Sequence, residues 1–171
     1  MKIILLQIDK TQDKYIAEGI DIYTKRLKNY LHFETRTINV PKQVRQKSQA
    51  EQKTEEAELI MAELENADQL ILLDERGTEL SSSEFSKYLA QKQNASTKRL
   101  FFLIGGPFGF SDSIYKRSNG KISLSRMTFS HQMIRLFFCG ATLPGLYYIK
   151  GRKVSSRVEL KNAKLNRKTS S

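Results

Sequence analysis

Short apolar runs of strand length alternate along this chain with segments in which apolar residues recur at helical spacing. The runs Lys2–Ile8, Gln69–Leu73 and Leu100–Ile104 are almost wholly apolar, as buried strands are. After the first run, Tyr15–Leu31 places an apolar side chain at every third or fourth position, which predicts an amphipathic helix. Strands that alternate with helices predict an α/β fold, with a mostly parallel sheet and helices on both faces.

The remaining segments continue this alternation. Phe33–Val40 and Lys121–Leu124 are predicted to be two further strands. Ser81 and Glu84 have the spacing of a capping box, which predicts that a helix begins there. The polar segment Lys42–Gln52 is predicted to be a mobile loop that enters a helix. Other helices are expected around Ala57–Leu64, over Ser111–Ser118 and over His131–Phe138.

Composition narrows the class of protein. A chain of 171 residues is expected to form one domain. One cysteine excludes a disulfide framework, and two histidines far apart in sequence, His32 and His131, predict no metal site. No apolar run approaches the ~18 residues of a membrane span, and the first run is too short for a signal peptide. We therefore expect a cytoplasmic protein without a membrane segment.

The basic character is concentrated at the end of the chain. The net charge is +11, and residues 139–171 carry eight basic side chains and one acidic side chain, a net +7. Such a tail is more typical of a solvated, disordered end than of an RNA-binding element. In the rest of the chain, the basic residues are either phosphate contacts or plain solubilising charge. The candidate patches are Lys42, Arg45 and Lys47, and Arg117 with Lys121.

Ligands of parallel α/β sheets bind beyond the carboxyl ends of the strands, so the loops after Leu73, Ile104 and Leu124 are the candidate site. The second of these loops contains Gly105, Gly106 and Gly109. Glycine lets a ligand approach the backbone because no Cβ intervenes. The segment is neither the dinucleotide fingerprint nor a phosphate-binding P-loop. A tight turn without a ligand is the alternative interpretation.

Each of the other two loops also has both a functional and a purely structural interpretation. Ile122–His131 mixes apolar residues with hydroxyls, and it is either a wall around an adenosine or an ordinary loop that caps the last helix. Asp74 and Glu75 are either a carboxylate pair or a solvated acidic turn. His131 is more typical of a capping or packing residue than of a catalyst. Cys139 has no sequence neighbour that would lower its thiol pKa.

Taken in order, these segments resemble the bacterial ribosomal RNA large subunit methyltransferase H family, which belongs to the SPOUT class. The resemblance covers Lys2–Phe138 and rests on Leu73–Gly77 (LDERG), Leu103–Gly109 (LIGGPFG) and Leu124–Arg135 (LSRMTFSHQMIR). It implies a SPOUT-type fold with a C-terminal trefoil knot, a homodimer, and S-adenosylmethionine as cofactor. The implied reaction is methylation of N3 of a pseudouridine in 23S rRNA of the assembled ribosome.

The same resemblance implies which residues contact the cofactor. These are Leu73, Gly105, Leu124, Ser125, Arg126, Met127, Thr128 and Phe129. The cofactor brings the reactive sulfonium, so the protein must align donor carbon and ring nitrogen. The imide N3–H must also lose its proton, and these segments supply no obvious base. The alternative, from another class, is a catalytically silent RNA- or nucleotide-binding α/β module whose basic tail makes the contacts.

The resemblance stops after Phe138. We therefore expect a methyltransferase-like domain over 1–138 and an atypical basic tail over 139–171. The family continues with a helix resembling Val-Glu-Gln-Leu-Tyr-Arg-Ala and ends in a Tyr-His-His-type tail. Here the chain reads CGATLPG from Cys139, and Pro144 is expected to break that helix. The family's Tyr, His and Arg groups have no matching position, so we assign no catalytic residue.

We hypothesise that a frameshift, in the gene or in the sequence record, causes this departure. If Cys139–Gly145 is encoded by the permitted codons TGT GGA GCA ACT TTA CCG GGC, removing the first T makes them read as the family heptapeptide. Permitted codons for the following residues continue in that frame to Tyr-His-His-Glu and a stop. We therefore predict that nucleotide sequencing around Phe137–Cys139 will show the family ending in another reading frame. Codons that cannot yield that ending would contradict the frameshift hypothesis.

Overall fold

The computed structural model of the chain describes residues 1–125, 127 and 129–149. It contains a five-stranded, all-parallel sheet in the order β2-β1-β4-β3-β5. The predicted α/β class is therefore confirmed. The strands are β1 (Lys2–Ile8), β2 (His32–Ile38), β3 (Gln69–Glu79), β4 (Arg99–Ile104) and β5 (Gly120–Ser123).

Helices cover both faces of the sheet, as the alternation predicted. They are α1 (Lys14–Lys28), α2 (Gln49–Ala62), α3 (Ser82–Asn94), α4 (Asp112–Arg117) and α5 (His131–Ile149). Successive residues of a strand point to opposite faces. In β1, Leu5 joins the core under α1, α3 and α5, whereas Ile4 and Leu6 join the core under α2 and α4. Burial on both faces explains why the strand sequences are continuously apolar.

Two helices begin at capping boxes. The predicted box at Ser81 is confirmed, because its hydroxyl accepts from the Glu84 N–H and the Glu84 carboxylate accepts from the Ser81 N–H. A second box at Ser48 begins α2. The segment predicted as a loop over Lys42–Gln52 does enter a helix, but that helix begins at Gln49, within the predicted segment. Val44 is buried within a short 3-10 turn, and the cap brings the start of α2 into the predicted loop.

The last helix also differs from the prediction. α5 continues through Pro144 to Ile149, so the proline does not break it. Proline removes one helical hydrogen bond, at a cost of about 3 kcal/mol. Burial of Phe138, Cys139 and Thr142 anchors the preceding turns, and the Thr142 hydroxyl donates to the Phe138 carbonyl at 2.7 Å. The domain boundary after Phe138 stays a prediction, and the tail over 150–171 lies outside the described residues.

A nearly buried ion pair closes the amino-terminal edge of the sheet. Asp68 is 4% exposed and accepts hydrogen bonds from Nε and Nη2 of Arg99, the first at 2.7 Å. Burial raises the pKa of the Asp68 carboxyl, but the Arg99 hydrogen bonds and charge outweigh that effect and leave this pKa below its usual value. Arg99 thus makes the burial of the carboxylate tolerable.

We predict that Arg99→Met lowers the free energy of unfolding by about 2 kcal/mol at pH 7, because it leaves a buried carboxylate without its partner. The folded-state pKa of Asp68 lies below its reference value of 3.8, so this stabilisation is complete above pH 3.8 and is lost as the pH falls further. Urea unfolding at pH 7 and pH 3 measures both effects. The matched control, Lys25→Met, breaks the exposed Lys25–Asp21 pair and should cost less than about 0.5 kcal/mol. Equal losses in the two variants would contradict the prediction.

Candidate functional site

A cleft of about 520 Å³ lies at the carboxyl ends of β4 and β5 and beside residues 73–76 of β3. These three strands are neighbours in the sheet, in the order β4-β3-β5, so their following segments meet at one edge. Leu73, Gly105 and Leu124 each line the cleft. The prediction that three separate segments converge is therefore confirmed.

Six of the eight predicted cofactor contacts line this cleft: Leu73, Gly105, Leu124, Ser125, Met127 and Phe129. Leu73 and Gly105 are buried, whereas the Met127 side chain is 71% exposed. The Ser125 hydroxyl accepts from the Met127 N–H at 2.9 Å, which shapes the loop locally. Arg126 and Thr128 lie outside the described residues. The role of all eight residues as cofactor contacts stays a prediction.

The first wall of the cleft is a bulge in β3. The sequence predicted that β3 ends at Leu73, but the strand continues to Glu79. Leu73 and Thr78 are both paired with Ile122 of β5, so residues 74–77 bulge out of the ladder between these two pairings. A Cβ on Gly77 would lie 2.5 Å from the Ile122 carbonyl carbon, so only glycine allows this approach. Main-chain pairing with β5 therefore extends the strand through a charged segment.

Asp74 is held within this bulge. The Tyr115 hydroxyl donates to Asp74 Oδ2 at 2.5 Å, and the Arg76 N–H donates to Oδ1 at 2.8 Å. Partial burial raises the pKa of Tyr115 to about 12, and the bond to Asp74 adds to that effect. Tyr115 therefore acts as a donor at neutral pH. The sequence left two interpretations open, a carboxylate pair or a solvated acidic turn. In the structure, Asp74 is hydrogen-bonded to a phenol and Glu75 is exposed. Sequence reasoning missed Tyr115.

The second wall is the glycine turn after β4. The Gly109 N–H donates to the Gly106 carbonyl at 3.1 Å, which closes a four-residue turn with Pro107 in its second position. Gly109 has a φ of +73°, which favours glycine. A Cβ on Gly105 would lie 2.9 Å from the Phe110 ring, and one on Gly106 would lie 2.7 Å from the Glu56 carboxylate. Internal packing thus already requires glycine at both positions.

The third wall joins the loop after β5 to the first turn of α5. His131 and Ile134 line the cleft. Partial desolvation lowers the pKa of the His131 imidazole, and the positive charge of Arg135 lowers it further. His131 is therefore neutral at pH 7. Its neighbour Met133 donates its N–H to the Ser130 hydroxyl at 3.3 Å, which supports the predicted cap at the start of the helix.

Side chains of the same turn of α5 form hydrogen bonds with the loop between β1 and α1. Gln132 Oε1 accepts from the N–H groups of Gln12 and Asp13 at 2.6 and 3.0 Å, and it caps α1 where the Asp13 side chain does not. The buried Arg135 donates to the Ile8 carbonyl at 2.5 Å and to the Thr11 hydroxyl at 3.0 Å. Sequence reasoning missed both residues, because their partners lie more than a hundred positions away.

Four of the five basic residues in the candidate patches have partners within the chain. Arg45 pairs with Asp9 at 2.6 Å, and Lys47 pairs with Glu55. Arg117 donates to the Asp68 carbonyl at 3.1 Å, and the Lys121 ammonium lies 5.5 Å from the centre of the Tyr115 ring. These four cations therefore have structural contacts. Lys53 of α2 lines the cleft and has no ion pair among the described residues.

Two further features concern the described residues as a whole. None of their helices has the length and apolar character needed to cross a membrane. Within the same part of the chain, no three His, Cys, Asp or Glu side chains are grouped as metal ligands. Cys139 is buried in α5, and burial raises the pKa of its thiol to about 12, so the thiol is not activated as a nucleophile.

Comparison with known proteins identifies consistent relatives. A family model described as "Predicted SPOUT methyltransferase" matches residues 1–141. A Cytophaga hutchinsonii protein is 52% identical over 153 residues, which cover 90% of this chain and 98% of the relative. Proteins from Flavobacterium johnsoniae and Bacteroides thetaiotaomicron are 52% and 44% identical over 138 residues, covering 81% of this chain and 88% of each relative. All three are named "Ribosomal RNA large subunit methyltransferase H".

Proposed function

Since this chain belongs to the ribosomal RNA large subunit methyltransferase H family, within the SPOUT methyltransferases, we propose that it methylates RNA of the large ribosomal subunit. The proposed acceptor is N3 of a pseudouridine in 23S rRNA of the assembled ribosome, and the proposed donor is S-adenosylmethionine. The observation that carries this proposal is the convergence of three strand-end segments on one cleft, as the family resemblance implied.

The cleft has the size and lining that a nucleoside cofactor needs. Its volume of about 520 Å³ falls within the roughly 300–1,000 Å³ of small-molecule sites. Leu73, Leu124 and Ile134 supply apolar surface for an adenine ring. The Gly105 backbone lines the same cleft. The residues proposed to hold the cofactor are Leu73, Gly105, Leu124, Ser125, Arg126, Met127, Thr128 and Phe129.

S-adenosylmethionine supplies an electrophilic methyl group on a positively charged sulfur. The contribution of this chain is to align the acceptor nitrogen with that methyl group and to keep water out, which is positioning catalysis. Asp74 and Glu75 place negative charge at the cleft, which favours a cationic ligand. We assign no catalytic base, because the family's Tyr, His and Arg groups have no matching position after Phe138.

Three further expectations of the family belong to this proposal. We propose that the C-terminal part forms the SPOUT trefoil knot and that α5 contributes to a homodimer. Phe137 of α5 is 38% exposed and Met127 is also exposed, so large apolar side chains are available for a partner subunit. The proposed location is the cytoplasm, where the ribosomal substrate is found. No metal is proposed for the reaction.

We predict that the full chain binds S-adenosylmethionine in a calorimetric titration, and that Gly105→Ala weakens this binding about tenfold or more. The added methyl group would occupy the space next to the backbone that the ligand approaches. Because Phe110 also packs against Gly105, the second variant is Gly105→Ala with Phe110→Leu, which makes room for the methyl group. The double variant should stay weak.

Two results would contradict parts of this prediction. Recovery of binding in the double variant would trace the loss to Phe110 and would remove Gly105 from the cofactor contacts. Absence of binding by the folded wild-type chain would favour the alternative of a silent RNA-binding module. In that case, RNA affinity should disappear on deletion of residues 139–171.

We also predict that this chain transfers methyl groups to assembled ribosomes lacking the modification more slowly than a chain that ends in the restored reading frame. The restored ending returns the Tyr, His and Arg groups that orient or deprotonate the base. Transfer of labelled methyl groups measures both rates. The affinity of each chain for S-adenosylmethionine serves as the control. Equal rates would show that the altered ending has no catalytic consequence.

A further inference from the structure

We propose that Phe108 is the stacking platform for an unpaired base of the RNA substrate, and that Lys53 contacts the adjoining phosphate. This inference rests on the proposed function, because it names how the same cleft would receive its acceptor. It assigns a role to two residues outside the predicted cofactor contacts. Both line the cleft, Phe108 from the glycine turn and Lys53 from α2.

The first observation is the unequal burial of two aromatic residues in one turn. Phe110 is 6% exposed, and its ring packs edge-on against Tyr115 with centroids 5.8 Å apart. Phe108, two residues earlier, is 40% exposed. Core packing therefore accounts for Phe110 and leaves the ring of Phe108 at the mouth of the cleft. An exposed aromatic ring beside a ligand cleft is suited to stacking against a flat heterocycle.

The second observation is that the turn holds Phe108 rigidly. The hydrogen bond from the Gly109 N–H to the Gly106 carbonyl closes the turn around it, and Pro107 restricts the preceding backbone. From behind, the buried Glu56 carboxylate packs against Gly106 so closely that no Cβ would fit. A ring presented on a fixed turn loses little conformational entropy when a base stacks on it.

The third observation is a lysine that lines the same cleft. Arg45, Lys47 and Lys121 have partners within the chain, whereas Lys53 has no ion pair among the described residues. A partly buried lysine that lines a cleft and has no ion pair among the described residues favours an anionic ligand. A nucleotide offers both required parts, a flat base for Phe108 and a phosphate for Lys53.

The chemistry of the proposed reaction favours a base over another occupant. An enzyme that modifies the pairing edge of a base must hold that base out of its helical stack. The unstacked base then needs a replacement surface, and a single aromatic ring supplies one without reading its sequence. Phe108 at the mouth of the cleft would offer that surface beside the proposed position of the methyl donor.

The test measures the affinity of the full chain for assembled ribosomes whose large subunits lack the modification, and separately for S-adenosylmethionine. Phe108→Ala should weaken binding to the ribosomes on the order of tenfold and leave cofactor affinity within about twofold. Phe108→Tyr keeps the ring and should bind both like the wild type. Tyr15→Ala removes an exposed aromatic side chain outside the cleft lining and is the matched control.

Lys53 is tested through salt dependence. Lys53→Gln should lower ribosome affinity and reduce the slope of log affinity against log salt by about one, the value for one lost phosphate contact. Lys28→Gln, at the far end of α1, removes an exposed lysine outside the cleft and should leave the slope unchanged. An unchanged slope in Lys53→Gln would overturn the phosphate contact.

The remaining outcomes separate this proposal from the proposed function. If the wild type binds S-adenosylmethionine and Phe108→Ala keeps full affinity for the ribosomes, the stacking platform is wrong and the methyltransferase proposal stands. If the wild type binds the cofactor but not the ribosomes, both the stacking platform and the proposed ribosomal acceptor are wrong. If the wild type sediments as a dimer and the Phe108→Ala variant sediments as a monomer, the ring packs against a second copy. That result would overturn the stacking platform. Absence of cofactor binding by the wild type overturns the proposed function itself.

Discussion

The parallel pairing of β4, β3 and β5 is the constraint on which the site depends. Parallel strands have their carboxyl ends at one edge, so the segments after β4 and β5 lie at the same edge as the point where β3 bulges. Helices cover both faces of the sheet, so this edge is where the backbone is open to a ligand. The bulge at residues 74–77 widens the opening, because β3 leaves its ladder after Leu73 and rejoins it at Thr78.

The glycine turn combines packing and binding in one segment. Gly105 and Gly106 lack side chains because the Phe110 ring and the Glu56 carboxylate occupy the space that a Cβ would need. Both glycines also line the cleft. A ligand is therefore not needed to explain the glycines, and the case for a cofactor rests on the convergence of the segments together with the family relationship.

The first turn of α5 links two parts of the carboxyl edge. His131 lines the cleft, while Gln132 and Arg135 hold the loop between β1 and α1. Burial lowers the pKa of the Arg135 guanidinium, and its Nε has no hydrogen-bond partner among the described residues, so this contact carries a desolvation cost. The fold tolerates this cost because the Arg135 guanidinium joins α5 to the loop between β1 and α1. The cleft and the β1–α1 loop are thus positioned by one helix.

The sequence alone determined the features that depend on neighbours within a few positions. The apolar runs identified the strands, and the spacing of Ser81 and Glu84 located the start of α3, since strand burial and capping are local properties. The charged residues after Leu73 led to the prediction that β3 ends there. The strand continues because it pairs with β5, and this pairing is not visible in the local sequence. Pro144 suggested a helix end, because the burial of Phe138 and Cys139 against distant elements is not visible in the local pattern.

Only the tertiary structure decided which side chains meet at the cleft. The bond from Tyr115 to Asp74 joins residues 41 positions apart, and that from Gln12 to Gln132 joins residues 120 apart. No local periodicity encodes such pairs, because they form only when the sheet order brings separate strands together. The glycine motif marked the turn in the sequence. Only the packed core distinguishes Phe110, which is buried with its ring against Tyr115, from Phe108, which is exposed.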